Sequence, residues 1–584
     1  MHIEEIRIEN FCSCASLHMP LSDFNPIIGY NNSGKSNVLR AISWMLRKYV
    51  LQESSFHNRA YPVIVEALVS SVNVTLLPAN QQTQVAPFVQ NGNIRFRRRQ
   101  DAPGVAATQV RIEVFNPNTQ QWANNPTGLD NAIAVLFPDP LYIQAMDDAA
   151  DDVSRFAAKN TIGLLLKLTL DRIRANNLAA LANIQQDLQS VSDHLNGPTR
   201  IQELNNLESQ ATTAIGDFFP GLNLHLDIQT PTFDELIKGA TISLSDHPGF
   251  QRPFTSFGHG AQRTVQMALI KLLAAQVNQQ AQQGATTVLL IDEPELYLHP
   301  QAIELLRESL KLLSTQNFQV IFSTHSPLLL GSKDVLNTSI MYKNAGGTVV
   351  RQKLANAAQT IAANPHHASV VFSIQNATYL MFSEKVILVE GKTEMMLVPD
   401  LFRMLSGQSL AQGKACLVET SSSSAIAPML QVLTSVGFQP KAVVDLDFVF
   451  KTAPQNGLVS AQDPDYAACK NWFTANQACS GFALGTDGFP ARKDSAGNVA
   501  QVLPEQAFEL MAAAMPTQIG SLASQLLSKR VWVWQRGAIE AHLGIALKND
   551  VARMNFLVQL NQNQNVNHAA HPADVAAFVN WLKV

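Results

Sequence analysis

The segment Gly29-Tyr30-Asn31-Asn32-Ser33-Gly34-Lys35-Ser36 constrains this chain more than any other. It follows an apolar strand reading, Phe24 to Ile28, and precedes helical spacing from Asn37 to Tyr49. A glycine-rich loop between a strand and a helix lets backbone N–H groups turn toward phosphate oxygens at a helix N-terminus. In that frame Gly29, Asn32 and Gly34 shape the loop. Lys35 supplies a cation to the β and γ phosphates, and the Ser36 hydroxyl is placed to ligate Mg²⁺.

A second strand, Thr287 to Ile291, ends in Asp292-Glu293-Pro294. A buried strand of that kind delivers Asp292 to the Mg²⁺ shell and sets Glu293 to polarise an attacking water. One strand further on, Ser323-Thr324-His325-Ser326 places His325 as a sensor of the γ-phosphate. These features, with Ile8-Glu9-Asn10-Phe11 and Leu296 to Pro300, resemble the ABC/SMC/RecF class of ATPases. The resemblance implies ATP as nucleotide and a homodimer or higher homo-oligomer, with ATP between two heads. It also implies a signature loop that reaches the partner's nucleotide. Ser256-Phe257-Gly258-His259-Gly260-Ala261-Gln262-Arg263 resembles that loop, though its wording departs from Leu-Ser-Gly-Gly-Gln. Ser256, Gly258 and Gly260 are the candidate contacts, and a glycine-rich helix cap is the bland alternative. Gln144, after Leu141 to Ile143, resembles the Q-loop glutamine.

A separate β/α alternation begins at Lys385 to Val389 and continues through Ala415 to Val418, Ala442 to Val444 and Arg530 to Trp534. The first of these strands runs into Glu390-Gly391-Lys392-Thr393-Glu394, and the third into Asp445-Leu446-Asp447. In a parallel sheet these ends share one carboxyl edge, where sites form. Carboxylates converging there repel unless a cation neutralises them, and hard oxygen donors favour Mg²⁺ or Mn²⁺. The pattern resembles the Toprim domain. That resemblance implies Glu390 as general acid/base or metal ligand, with Glu394, Asp445 and Asp447 holding metal. Arg536-Gly537-Ala538-Ile539-Glu540 looks like the closing element of nuclease-type Toprim domains. Glu540 is then a candidate second-metal ligand, or else an ordinary glutamate at a helix start. Lys548 and Arg536 compete for the assisting basic role.

The order of modules resembles the overcoming-lysogenization-defect (OLD) nuclease family over nearly the whole chain. The implied fold is α/β: an N-terminal ABC/SMC-like P-loop ATPase (1–370) with a short helical insertion (about 152–219), then a C-terminal Toprim domain (371–584). The insertion carries Leu164, Leu168, Ile173, Leu178, Leu181 and Ile184 and breaks at Asn196-Gly197-Pro198, and it is the expected dimerisation element. Its arms are too short for a long SMC-type coiled coil. The implied activity is metal-dependent cleavage of DNA coupled to ATP hydrolysis, in exclusion of competing phage, with an accessory defence protein as a further partner. A ribonuclease toxin and an SMC/RecF-like repair ATPase are the rival readings. A topoisomerase lacks a recognisable domain for its tyrosine.

Composition sets the outer limits. At 584 residues the chain exceeds one hydrophobic core. No apolar run reaches the roughly 18 residues of a membrane span, and the start does not read as a secretory signal. Five scattered cysteines without a CxxC pair suggest a reducing cytoplasm and read as small buried hydrophobes. A net charge of −4 leaves room for DNA only at a local basic groove. Arg97-Arg98-Arg99 is a candidate phosphate contact, with a solvated or intersubunit face as the equal alternative. Strands are also expected at Leu222 to Leu226 and Ala240 to Leu244.

Overall fold

The computed structural model describes residues 1–124, 128–137, 140–144, 176–238, 240–247, 249–280, 286–359, 370, 374, 378–420, 422–493, 497 and 499–583. The chain divides into two compact units, Met1–Phe24 with Ser36–Thr324, and Asn25–Lys35 with His325–Val584. No described helix is long and apolar enough to cross a membrane.

In the first unit, His2–Phe11 alternates Ile3, Ile6 and Ile8 inward against polar neighbours, which makes it a half-buried strand. It pairs with Cys14–Pro20 and Val63–Ser70, and the antiparallel sheet continues through Ile94–Gln100, Arg111–Asn116 and Gln121–Asn124. A parallel group follows, in which Thr287–Asp292 lies between Leu141–Ile143 and Phe318–Ser323. Every residue of Thr287–Asp292 and Phe318–Ser323 is buried, as expected for strands covered on both faces.

The helical insertion is described from residue 176. Leu178–Leu195 and Gln202–Gly216 form two arms either side of Asn196 to Ile201, and neither arm buries a residue. Leu164, Leu168 and Ile173 lie outside the described residues. The strand expected at Leu222 to Leu226 is not formed. Its Leu224 and Leu226 N–H groups donate instead to Thr212 Oγ1 (3.1 Å) and Glu208 Oε1 (2.5 Å), and Ile228 N–H donates to Asn196 Oδ1 (2.9 Å). The segment therefore lies along the arms, its backbone satisfied by side chains rather than by a ladder. Ser243–His247 does form a strand, paired with Phe250–Pro253.

In the second unit, the strand leading into the phosphate loop pairs in parallel with Ser339–Asn344, which turns back through Gly347–Val350. The rest is a four-stranded parallel sheet in the order Ala415–Glu419, Lys385–Val389, Lys441–Val444, Val531–Val533. Its apolar runs are continuous because both faces are covered. Val386, Leu388, Val444 and Val531 belong to one core, whereas Ile387, Val389 and Val443 belong to the other. Between Lys441–Val444 and Val531–Val533 the chain makes a long excursion. It includes helices Pro464–Ser480, Pro504–Ala514 and Pro516–Ser528 and the small hairpin Ala483–Leu484/Pro490–Ala491.

The cysteine expectation needs correction. Cys14, Cys416 and Cys469 are buried, but Cys12 is only half-buried and Cys479 is exposed.

Candidate functional site

The phosphate loop is shaped by close approach. Gly29 has φ +154°, and a Cβ there would lie 2.3 Å from the Met341 carbonyl oxygen, so no side chain fits. Asn32 takes positive φ, and the helix starts at Lys35. Lys35 is 5% exposed, and its Nζ donates to the Gly29 and Tyr30 carbonyls at 3.0 and 3.3 Å. The same ammonium lies 2.9 Å from His325 Nε2. Loop lysine and expected γ-phosphate sensor thus share one spot. Thr348 donates to the Ser33 carbonyl (2.9 Å), and Lys343 Nζ donates to Asn32 Oδ1 (3.2 Å), which ties the loop to the following hairpin.

Within the other unit, Asp292 is buried and accepts a hydrogen bond from the Ser323 hydroxyl. Glu293 sits at φ 48°, uncommon for a residue with a Cβ, and its N–H donates to Ser323 Oγ at 3.0 Å. The turn after these acids meets the signature-like loop: the rings of His259 and Tyr297 lie 5.1 Å apart. Ser256 Oγ donates to the Pro253 carbonyl, Gly258 is open to its surroundings, and the helix begins at His259. Gln144 is exposed just past Leu141–Ile143.

The arginine run does not form one surface. On the strand Ile94–Gln100, Arg98 points inward, 1% exposed, donating to the Met45 carbonyl (3.0 Å) and Asp130 Oδ1 (2.8 Å). Arg97 pairs with Glu113 under the Trp122 ring, and Arg99 pairs with Asp101. Strand alternation splits the three, so they cannot act as one patch.

The second set of acids does converge. Glu390 ends Lys385–Val389, Glu394 lies in the first turn of helix Lys392–Ser406, and Asp445 caps helix Leu446–Lys451, which carries Asp447. The Asp445 N–H donates to Glu390 Oε1 at 3.1 Å. Glu394 and Glu540 are each 4% exposed, and Thr393 Oγ1 donates to Glu540 Oε1 at 2.7 Å. Lys548 Nζ stands 3.8 Å from Asp445 Oδ2 and 3.6 Å from Glu540 Oε2. Arg536 is directed elsewhere, to Asp574 at 3.0 Å. Asp574 also meets the buried His542 (3.1 Å), whose Nε2 accepts the Arg536 N–H. This anchors the short helix Ile539–Leu543 that bears Glu540.

Burial, then the charges of Asp445 and Asp447, push the Glu390 carboxyl well above its usual range. Burial, then Glu394, does the same to Asp445. Burial raises Glu394 to about 7, with Glu540 adding to it. Burial alone would lower Lys548, but Asp445 and Glu540 overcome this and hold its ammonium charged. Among the described residues, no three His, Cys, Asp or Glu side chains are already gathered to hold an ion. The donor set nonetheless fits a hard cation. Asp445 Oδ1 is buried with no hydrogen-bond partner, and the acids are oxygen donors that repel one another without added positive charge.

A cleft of about 370 Å³ opens on Glu390, Asp445, Asp447 and Lys548. Its other wall comes from the excursion and includes Arg492, Glu505, Phe508 and Glu509. Gly537, at φ +127°, borders it because a Cβ there would lie 2.8 Å from Glu509 Cγ. Sequence reasoning missed this wall, along with Thr393, Ser323 and Asp574. Thr393 could have been noticed between its two glutamates, but Arg492 gives no local signal.

Comparison with known proteins agrees with this layout. Residues 381–447 match the TOPRIM domain of overcoming lysogenization defect-like proteins. Residues 1–83 match an AAA ATPase domain, and residues 128–331 match an AAA domain described for AbiEii-type toxins of type IV toxin–antitoxin systems. The Old nuclease of Escherichia phage P2 is 34% identical over 486 residues, covering 81% of each chain. Endonuclease GajA of Bacillus cereus is 21% identical over 419 residues, 68% of this chain and 67% of that one. An SMC head domain from Pyrococcus furiosus, aligned over 62% of this chain and 99% of its own, is 15% identical at a TM-score of 0.36, too loose a likeness to specify more.

Proposed function

The chain belongs to the overcoming-lysogenization-defect nuclease family, and from that premise we propose that it is an ATP-hydrolysing, divalent-metal-dependent DNA endonuclease acting in the exclusion of competing phage. The observation that carries the reading is the convergence of Glu390, Asp445, Glu540 and Lys548 on one edge of a parallel sheet, beside an open cleft. Lys548 and Arg553 answer Glu540, and Lys548 answers Asp445, yet Asp445 Oδ1 is buried without a hydrogen-bond partner and, among the described residues, Glu390 is held there only by the Asp445 N–H, which leaves oxygen donors for a cation.

Glu390, Asp445 and Asp447, with Glu394 and Glu540, are the residues that would hold Mg²⁺ or Mn²⁺. Such ions, when bound, activate water and stabilise the leaving oxygen of a phosphodiester. The chain's own residues supply the rest. Glu390, placed beside Asp445 by the Asp445 N–H, is positioned either as a further metal ligand or as the acid that takes up and returns a proton at its carboxyl oxygens. Lys548 keeps a positive charge beside the acids to oppose charge building on the phosphate. Arg536, committed to Asp574, is a positioning residue for the Glu540 helix.

The loop shaped by Gly29, Asn32 and Gly34, where Lys35 meets His325, is the element that would take the phosphates of ATP. Ser36 and Asp292 are the residue types that would hold the Mg²⁺ of the nucleotide. Glu293 orients the hydrolytic water. The signature-like Ser256, Gly258 and Gly260 would reach a partner's nucleotide, and Gln144 would serve as the Q-loop glutamine. The arms Leu178–Leu195 and Gln202–Gly216, which bury none of their residues, serve association of two copies.

Plasmid cleavage with Mg²⁺ or Mn²⁺, with and without ATP, tests this reading. Wild type nicks or linearises DNA, Glu390→Ala does not, and Lys35→Ala loses ATP turnover. Intact supercoiled, linear and single-stranded DNA under every metal and nucleotide condition, with RNA cut instead, would overturn it.

A further inference from the structure

A polyanion entering this cleft meets mostly negative charge. Glu390, Asp445 and Asp447 line its floor, and Glu505 and Glu509 line the facing wall. A cation held by the floor acids would answer their charge at the phosphate that is cut. It does nothing for the neighbouring phosphates of the same strand, which must pass the facing wall. The cations lining the cleft among the described residues are Lys451, Arg492 and Lys548. Lys548 is engaged by Asp445 and Glu540, and Lys451 by Asp447 at 3.4 Å. Arg492 differs from both. Its side chain is 78% exposed, and its ion pair with Glu505 is long, at 3.6 Å. An exposed pair of that length contributes on the order of 0–1 kcal/mol. A bidentate guanidinium–phosphate contact is stronger and would displace it.

The backbone that presents Arg492 is firmly held. Arg492 directly follows the hairpin strand Pro490–Ala491. The preceding Phe489 is 4% exposed, in ring contact with Phe450 (5.9 Å), Tyr466 (6.2 Å) and Phe473 (6.3 Å). Phe508 of the same wall meets Phe473 edge to face at 5.1 Å. The wall is therefore an aromatic-cored block, and its mouth ends in an exposed cation.

We propose that Arg492 is a substrate-positioning residue of the nuclease cleft, binding a backbone phosphate that flanks the scissile one and holding the strand against the metal-binding floor. The proposal rests on the reading of this cleft as the DNA-cleaving site. Arg492 acts on binding rather than on the chemical step, so it sets KM and not kcat.

The test uses the full chain. Binding of a short DNA duplex and of the matching single strand is measured across salt concentrations in a Glu390→Gln background, with Arg492, Arg492→Ala or Arg492→Lys. Cleavage kinetics are measured on the same Arg492 set with Glu390 intact. Arg492→Ala is expected to weaken binding roughly 5- to 20-fold and to reduce the slope of log K against log salt by about 1. It raises KM by a similar factor and leaves kcat within about twofold. Arg492→Lys restores the slope but only part of the affinity, since the ammonium cannot bind in bidentate fashion. Thermal midpoints stay together, as for an exposed substitution. Unchanged affinity and slope in Arg492→Ala would overturn the assignment, whether or not the wild type cleaves. A fall in kcat with KM unchanged would overturn it as well. Wild type that binds DNA but leaves it uncut strikes the nuclease reading alone.

Discussion

Parallel strands end in acids at two places in this protein, and the acids live differently there. Asp292, at the end of Thr287–Asp292, is held by the Ser323 hydroxyl, and Glu293 is fixed through its own N–H to the same side chain. Each has a defined partner before any ligand arrives. At the end of Lys385–Val389 and Lys441–Val444 the acids crowd one another, and although Lys548, Arg553 and Lys451 answer part of their charge, Asp445 keeps an orphan oxygen. The first arrangement is complete as protein and adds a nucleotide. The second stores repulsion that a cation relieves. Acids after a strand thus take opposite electrostatic roles according to what the neighbouring strand delivers beside them.

The sharpest separation comes from removing one acid of each pair. Glu390→Ala should lower DNA cleavage by about 10³-fold or more while ATP hydrolysis persists. Glu293→Gln should lower ATP turnover by about 10²- to 10³-fold and leave metal-dependent cleavage without nucleotide intact. Paired rate measurements on both variants check this, and loss of both activities in either one would break the comparison.

A smaller effect is expected at Ser323. Ser323→Ala removes the donor that holds Asp292 and should reduce ATP turnover by about tenfold, with cleavage unchanged. ATP turnover equal to wild type would mean that Asp292 is positioned by its strand alone.

The smallest effect concerns stability. Glu394 keeps its proton up to about 7 in the folded chain, against 4.5 ordinarily. Between those values the folded state holds a proton that the unfolded state has lost, so stability from this group falls as pH rises through the window. The metal-free thermal midpoint should fall by roughly 5 °C from about pH 5 to about pH 8, relative to Glu394→Gln. Mg²⁺ should restore it at the higher pH and do little at the lower. A wild-type midpoint that tracks Glu394→Gln at every pH would remove the stored repulsion from the account.

Much of the candidate site was legible because its residues are punctuated locally. The loop Gly29 to Ser36 and the acids Asp292, Glu390 and Asp445 each stand at or just past the end of an apolar strand. The misreadings came where pattern and partner parted. Leu222 to Leu226 alternates like a strand, yet side chains of the helical arms took its backbone hydrogen bonds. Arg97 to Arg99 reads as one basic patch, yet alternation sent Arg98 inward to Asp130.

The sequence by itself determined the two kinds of strand end, the order of the modules and the family, because local chemistry and covalent order carry that information. Only the tertiary structure separated Lys548 from Arg536, by giving one to Asp445 and Glu540 and the other to Asp574. It alone brought Arg492, 102 residues after Glu390, onto the opposite wall of the same cleft. The physical reason is common to both. A charge takes its role from the charges that folding sets within a few ångströms of it, and at these positions those neighbours are remote in the chain.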